Sequence, residues 1–189
     1  KANELLNRQN EEIENQKSLI EQKQIEILDS IHYAKRIQES LLVQQKLLQE
    51  VLPESFIFFQ PKDIVSGDFY WATKFNGKFY LAICDSTGHG VPGAMVSVVC
   101  YNALNRSVRE YGLTDPGKIL DKTREIILSE LSKNDENVKD GMDISLVVLE
   151  KKSNKINWSG ANNSLWLIPS GLKEITEIKA DKQPIGAHI

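Results

Sequence analysis

The sequence predicts an α+β protein, an antiparallel β-sandwich flanked by α-helices and preceded by one long α-helix. Three observations carry that expectation. Residues 1–52 contain neither Gly nor Pro and are dense in Glu, Gln, Lys and Leu, the composition of an uninterrupted helix. Two strand-like runs then meet at Asn76-Gly77, the strongest short hairpin signal, because both turn positions need positive φ. The later elements read as helix, helix and a strand meander, an order that favours antiparallel pairing over βαβ units.

At 189 residues the chain is long enough for one domain and an appendage, here 1–52 as a linker helix and 53–189 as the domain. Its 41% hydrophobic and 26% charged content is ordinary for a soluble globular protein. A net charge of -3 without a basic cluster argues against a nucleic-acid partner. No apolar run approaches a bilayer-spanning length and no signal peptide opens the chain. Lys1 falls inside a helical pattern, so the chain reads as cut from a longer protein. Cys84 in an apolar run and Cys100 in a helical one read as buried thiols in a reducing compartment. The expected location is cytoplasmic, either free or as the cytoplasmic part of a larger membrane-attached sensor.

Along the helix, apolar residues recur every seven positions at Leu6, Ile13, Ile20, Ile27, Ala34, Leu41 and Leu48, one seam of a coiled coil. The companion seam at Asn10, Lys17, Gln24, Ile31, Gln38 and Gln45 is mostly polar, which suits a weak homodimer of adjustable register or an inert spacer. Pro53 ends the helix. Ser55–Gln60 is aromatic and extended, Asp68–Lys74 and Lys78–Cys84 form the hairpin, and Pro92 starts a helix that runs to Gly112. Ala94, Met95, Val98, Val99 and Leu104 are its expected inward face. Asp115-Pro116 caps a second helix with Ile119, Leu120, Thr123, Ile126, Ile127 and Leu131 inward. Ser132–Lys139 reads as a loop. Strands follow at Asp143–Glu150, Ile156–Ser159, Ser164–Ile168 and Leu172–Ile178, with turns at Lys152–Asn154 and Ser170-Gly171.

Two acidic residues stand at strand ends beside glycine: Asp68 in Ser66-Gly67-Asp68-Phe69-Tyr70 and Asp85 in Cys84-Asp85-Ser86-Thr87-Gly88-His89-Gly90. Counting back from the Asn76-Gly77 turn brings both carboxylates to one end of adjacent strands. Such a pair suits a hard cation, Mg²⁺ or Mn²⁺. Turn aspartates are the competing explanation, weaker for Asp85 because it directly follows Leu81-Ala82-Ile83-Cys84. The Gly-rich loop lacks the Lys-Ser or Lys-Thr ending of a phosphate loop. Gly88 and Gly90 instead allow backbone to approach a metal or a substrate phosphate at the following helix terminus. His89 is a general acid or, preferably, a hydrogen-bond strut.

These motifs carry a family resemblance. Gly67-Asp68-Phe69-Tyr70 followed by Asp85-Ser86-Thr87-Gly88-His89-Gly90 resembles the SpoIIE-like branch of the metal-dependent phosphatase 2C (PPM) serine/threonine phosphatases. Gly160-Ala161-Asn162-Asn163-Ser164-Leu165-Trp166 is similar to that branch's Ala-Gly-His-Asn-like junction, and Gln183-Pro184-Ile185-Gly186 to its Pro-Leu-Gly element. Ser30–Gln38 resembles the linker helix that often enters these domains. The resemblance implies a binuclear Mn²⁺/Mg²⁺ centre, with Asp85 bridging the metals, the Ser86 carbonyl ligating one, and Asp68 in or next to the coordination shell. Asp140 or Asp143 could add an accessory ligand. Two further family aspartates belong beyond the Pro-Leu-Gly position, so residues 1–189 are expected to bind metal poorly and to be inactive alone.

The implied activity is hydrolysis of phosphoserine or phosphothreonine on a regulatory protein, often an anti-sigma-factor antagonist, controlled through the N-terminal helix. No Cys-x5-Arg nucleophile pattern occurs. Two alternatives keep other roles: a pseudophosphatase that binds without turnover, and a coiled-coil signalling scaffold. A nucleotide cyclase would share the two aspartates but needs a base pocket that the sequence does not display.

Overall fold

Asn76 and Gly77 take φ values of 49° and 73°, the left-handed pair that a two-residue hairpin turn requires. They join β1 (Phe69–Phe75) to β2 (Lys78–Ser86) with Phe75 opposite Lys78 and Phe69 opposite Cys84. The computed structural model describes residues 2–43, 45–131, 139–150, 153, 155–171 and 174–187. β2 pairs antiparallel with β3 (Gly141–Glu150), which pairs with β4 (Lys155–Ala161). β5 (Leu165–Leu167) and β6 (Thr176–Ile178) form a separate two-stranded sheet, and β7 (Ile185–Gly186) adds to β3. The expected α+β class with antiparallel strands and a long leading helix is thus observed. Among the described residues the main layer has five strands and the second sheet consists of β5 and β6.

Alternation along the strands decides which face is core. Trp71, Tyr80, Ala82, Cys84, Ile144, Leu146 and Val148 are buried against α3 (Gly90–Arg109) and α4 (Pro116–Leu131). Each large apolar side chain removed from water there contributes roughly 1.5–3 kcal/mol. α4 buries the face expected of it, and Asp115 Oδ1 caps it by accepting from Lys118 N at 3.0 Å. The opposite face of the sheet carries Asp68, Ile83, Asp85 and Asp143, and Ile83 is 51% exposed.

Two expectations are corrected, and one strand is new. The long helix is interrupted: α1 (Ala2–Leu41) ends early and α2 (Gln45–Val51) follows. No Gly or Pro breaks it; Leu42 packs on the core and Leu48 is buried, so tertiary contacts override the local preference. α3 buries Gly93, Ala94, Val96, Ser97, Cys100, Ala103 and Leu104, whereas Met95 is 61% exposed. Its first three turns are apolar nearly all round, so periodicity could not set their phase. Ile185–Gly186 pairs as a strand because Gly141 and Gly186 lack side chains: a Cβ on Gly141 would stand 2.5 Å from Ile185 O and 2.8 Å from Gly186 Cα.

Ser55–Gln60 forms no strand; Phe56 and Phe58 are exposed while Phe59 meets the Tyr70 ring edge-on at 5.6 Å. Most of the expected loop at Ser132–Lys139, most of the turn at Lys152–Asn154, and the start of the strand expected at Leu172 lie outside the described residues. No helix among the described residues is long and apolar enough to cross a membrane.

Candidate metal centre

The hairpin register that pairs Phe69 with Cys84 makes Asp68 and Asp85 the next cross-strand neighbours, on the sheet face away from α3 and α4. Their carboxyls interact directly. Burial, the Asp68 charge and a hydrogen bond with Asp68 together hold the Asp85 carboxyl above its ordinary range. Neither carboxylate has a Lys, Arg or His ion-pair partner among the described residues. Two like charges held together without a counter-charge make a suitable seat for a divalent cation. A cavity of about 370 Å³ opens there, lined by Asp68, Asp85, Asn163 and the aromatic segment from Ile57 to Gln60.

Strand β3 adds a third acidic residue to the row. Asp143 pairs in register with Asp85, and its Oδ1 accepts from Asn162 Nδ2 at 2.8 Å. Even so, no three His, Cys, Asp or Glu side chains among the described residues converge closely enough to hold a metal ion. The fitting donors are therefore two carboxylates and nearby carbonyls, all hard oxygens. Asp143 and Asn162 were partly visible in sequence, as an accessory candidate and as part of a strand junction. Only the β2–β3 register aligns them with Asp85.

The loop after Asp85 is built backbone against backbone. Ser86 is buried, and its hydroxyl donates to Gly67 O at 2.7 Å and Gly93 O at 3.2 Å. The Ser86 carbonyl, the candidate ligand, turns toward Gly67: it lies 2.9 Å from where a Gly67 Cβ would stand. Gly88 takes a φ of 89°, and its carbonyl fills the space that a Cβ on Gly67 or on Gly93 would need, 2.5 Å away in each case. Gly90, at φ 60°, opens α3. His89 between them is exposed, and its Nδ1 lies 3.0 Å from Asp63 Oδ2, a partner that the sequence did not disclose. That bond fits the strut role. Cys84 and Cys100 are both buried; burial pushes the Cys84 thiol far up and, with Asp140, takes Cys100 to about 12. Neither is poised as a nucleophile.

Comparison with known proteins adds the family. The Stage II sporulation protein E (SpoIIE) family model matches residues 76–188. The chain belongs to the SpoIIE family. Its structure is similar to the SiaA-PP2C domain of Pseudomonas aeruginosa, at 30% identity and a TM-score of 0.75, covering 86% of this chain and 64% of that one. The phosphatase domain and regulatory fragment of SpoIIE from Bacillus subtilis match at 22% identity and a TM-score of 0.50, over 65% of this chain and 34% of that one, a likeness of fold. The chain thus spans less than two thirds of either structure. No curated protein sequence matches it. This SpoIIE-family chain therefore carries a PP2C-type phosphatase fold.

Proposed function

We propose that the protein is a Mn²⁺- or Mg²⁺-dependent phosphatase acting on phosphoserine or phosphothreonine of a regulatory protein, such as an anti-sigma-factor antagonist. The observation that carries this reading is the Asp68–Asp85 pair, brought together in register and without a Lys, Arg or His ion-pair partner among the described residues. Asp85 and the Ser86 carbonyl would hold the cations, with Asp68 completing the carboxylate pair. Bound divalent cations supply a water acidified toward neutrality and offset charge on the phosphoryl oxygens. The chain's own part is positional: the hairpin fixes both carboxylates, the glycine loop brings its backbone close, and the α3 N-terminus beside Gly88, His89 and Gly90 favours the approach of an anion. The buried, proton-holding thiols are consistent with direct hydrolysis without a covalent enzyme intermediate. Assayed on a phosphoserine peptide, the intact protein is expected to release phosphate with Mn²⁺ present. Chelation should stop release and re-addition restore it. Turnover indifferent to chelation would overturn the reading.

The leading helix suits control by self-association in the cytoplasm. Leu6, Ile13, Ile20 and Ile27 form a seam along α1, each more than half exposed. Ile20→Asp combined with Ile27→Asp is expected to turn a homodimer into a monomer by analytical ultracentrifugation. A wild-type protein that is already monomeric at micromolar concentration would favour the spacer.

A further inference from the structure

Gln38 is the only buried residue of α1 among the described residues, with 8% of its surface exposed. A buried amide needs partners on both ends, and this one has them. Its Nε2 donates to Ser66 O at 2.6 Å and to Ser97 Oγ at 2.9 Å, while its Oε1 accepts from Ser66 N at 3.0 Å. The side chain therefore pairs with both backbone groups of Ser66, as a neighbouring strand would. The next residue, Gly67, is held from the other side by the Ser86 hydroxyl at 2.7 Å. Asp68 follows. The backbone that delivers this carboxylate is thus gripped by α1 on one side and by β2 on the other.

We propose that Gln38 is a positioning residue that transmits the rotational phase of α1 to the placement of Asp68 beside Asp85, and so sets the affinity of the pair for a divalent cation. The proposal rests on the reading of Asp68 and Asp85 as a cation site. One residue of rotation about a helix axis turns a side chain by about 100°. Such a turn presents Ile37 or Glu39 to Ser66, and neither can donate and accept together as the amide does. A seam partner that twists or lifts α1 would therefore release Ser66 and loosen Asp68.

Gln38→Met keeps length and helix preference but removes all three hydrogen bonds. Circular dichroism first establishes that the variant is folded. Two readouts then follow on the intact protein: hydrogen exchange of the Ser66 amide without metal, and Mn²⁺ affinity from the electron paramagnetic resonance of free Mn²⁺. The expected result is Ser66 exchange accelerated at least about tenfold and a Mn²⁺ dissociation constant raised about tenfold, the low end for losing a group that orients a metal ligand. Ser97→Ala, which leaves the Ser66 pairing intact, should change the affinity by less than about twofold. Wild-type Mn²⁺ affinity in folded Gln38→Met overturns the proposal, as does an equal loss in Ser97→Ala. Unchanged Ser66 exchange overturns the clamp itself. A wild-type protein that binds no Mn²⁺ at all overturns the cation-site reading on which the proposal rests.

Discussion

Asp85→Asn is expected to lower Mn²⁺-dependent phosphate release by at least about 10²- to 10³-fold, the scale of losing one preorganised electrostatic stabiliser at a reacting centre. Asn keeps the shape and one oxygen but cannot supply the negative charge that would hold a divalent cation. The same substitution should act in the opposite direction on stability without metal, because it removes a carboxylate raised by burial and by Asp68. The folded-state value lies above the unfolded one. Asp85 therefore favours the folded state most below the ordinary aspartate pKa of about 4, and that contribution is lost as pH rises through the elevated folded value. At neutral pH the metal-free variant should be more stable by about 0.5 kcal/mol, a small gain because solvent screens a partly exposed pair. Thermal melts from pH 4 to 8 would show wild type losing ground against Asp85→Asn as pH rises, and Mn²⁺ reversing the order. A variant that hydrolyses its substrate at the wild-type rate would remove Asp85 from the mechanism.

Gly93→Ala should destabilise the protein by about 1–3 kcal/mol, or roughly 2–10 °C for a domain of this size. Helix preference alone argues the other way, since Ala is favoured over Gly in a helix interior by about 1 kcal/mol. Sterics decide the sign. A Cβ on Gly93 would stand 2.5 Å from Gly88 O and 2.7 Å from Gly88 C, backbone atoms with no rotamer to retreat into. Gly88 can yield only by moving the loop that follows Asp85 and Ser86. Weaker Mn²⁺ binding should therefore accompany the lower melting temperature. Gly112→Ala provides the contrast: φ is 65° but nothing lies within 4 Å of its Cβ, so conformational strain of about 1 kcal/mol is all it should cost. A Gly93→Ala protein that melts at or above wild type would show that the loop relaxes freely.

The two carboxylates were legible because the hairpin is a local device. An Asn-Gly turn fixes register, and register places residues 68 and 85 side by side whatever surrounds them. α4 was legible for a similar reason, with a capped start and one apolar stripe. The face of α3 was not, since Val91 to Cys100 offers apolar groups in most directions and the sheet selected the smallest of them. Nor was the interruption after Leu41, where no breaking residue stands.

By itself the sequence determined the α+β class, the antiparallel hairpin, the acidic pair and its likeness to the SpoIIE family, because each is written in neighbouring residues or in a short motif. Only the tertiary structure decided that Asp143 extends the acidic row and is bonded by Asn162, that His89 meets Asp63, and that Gln38 grips Ser66. Those contacts join residues 19 to 58 positions apart. Helix phase and strand register bring such groups together, and neither has a local signature when the packing surfaces are apolar throughout or the buried group is polar.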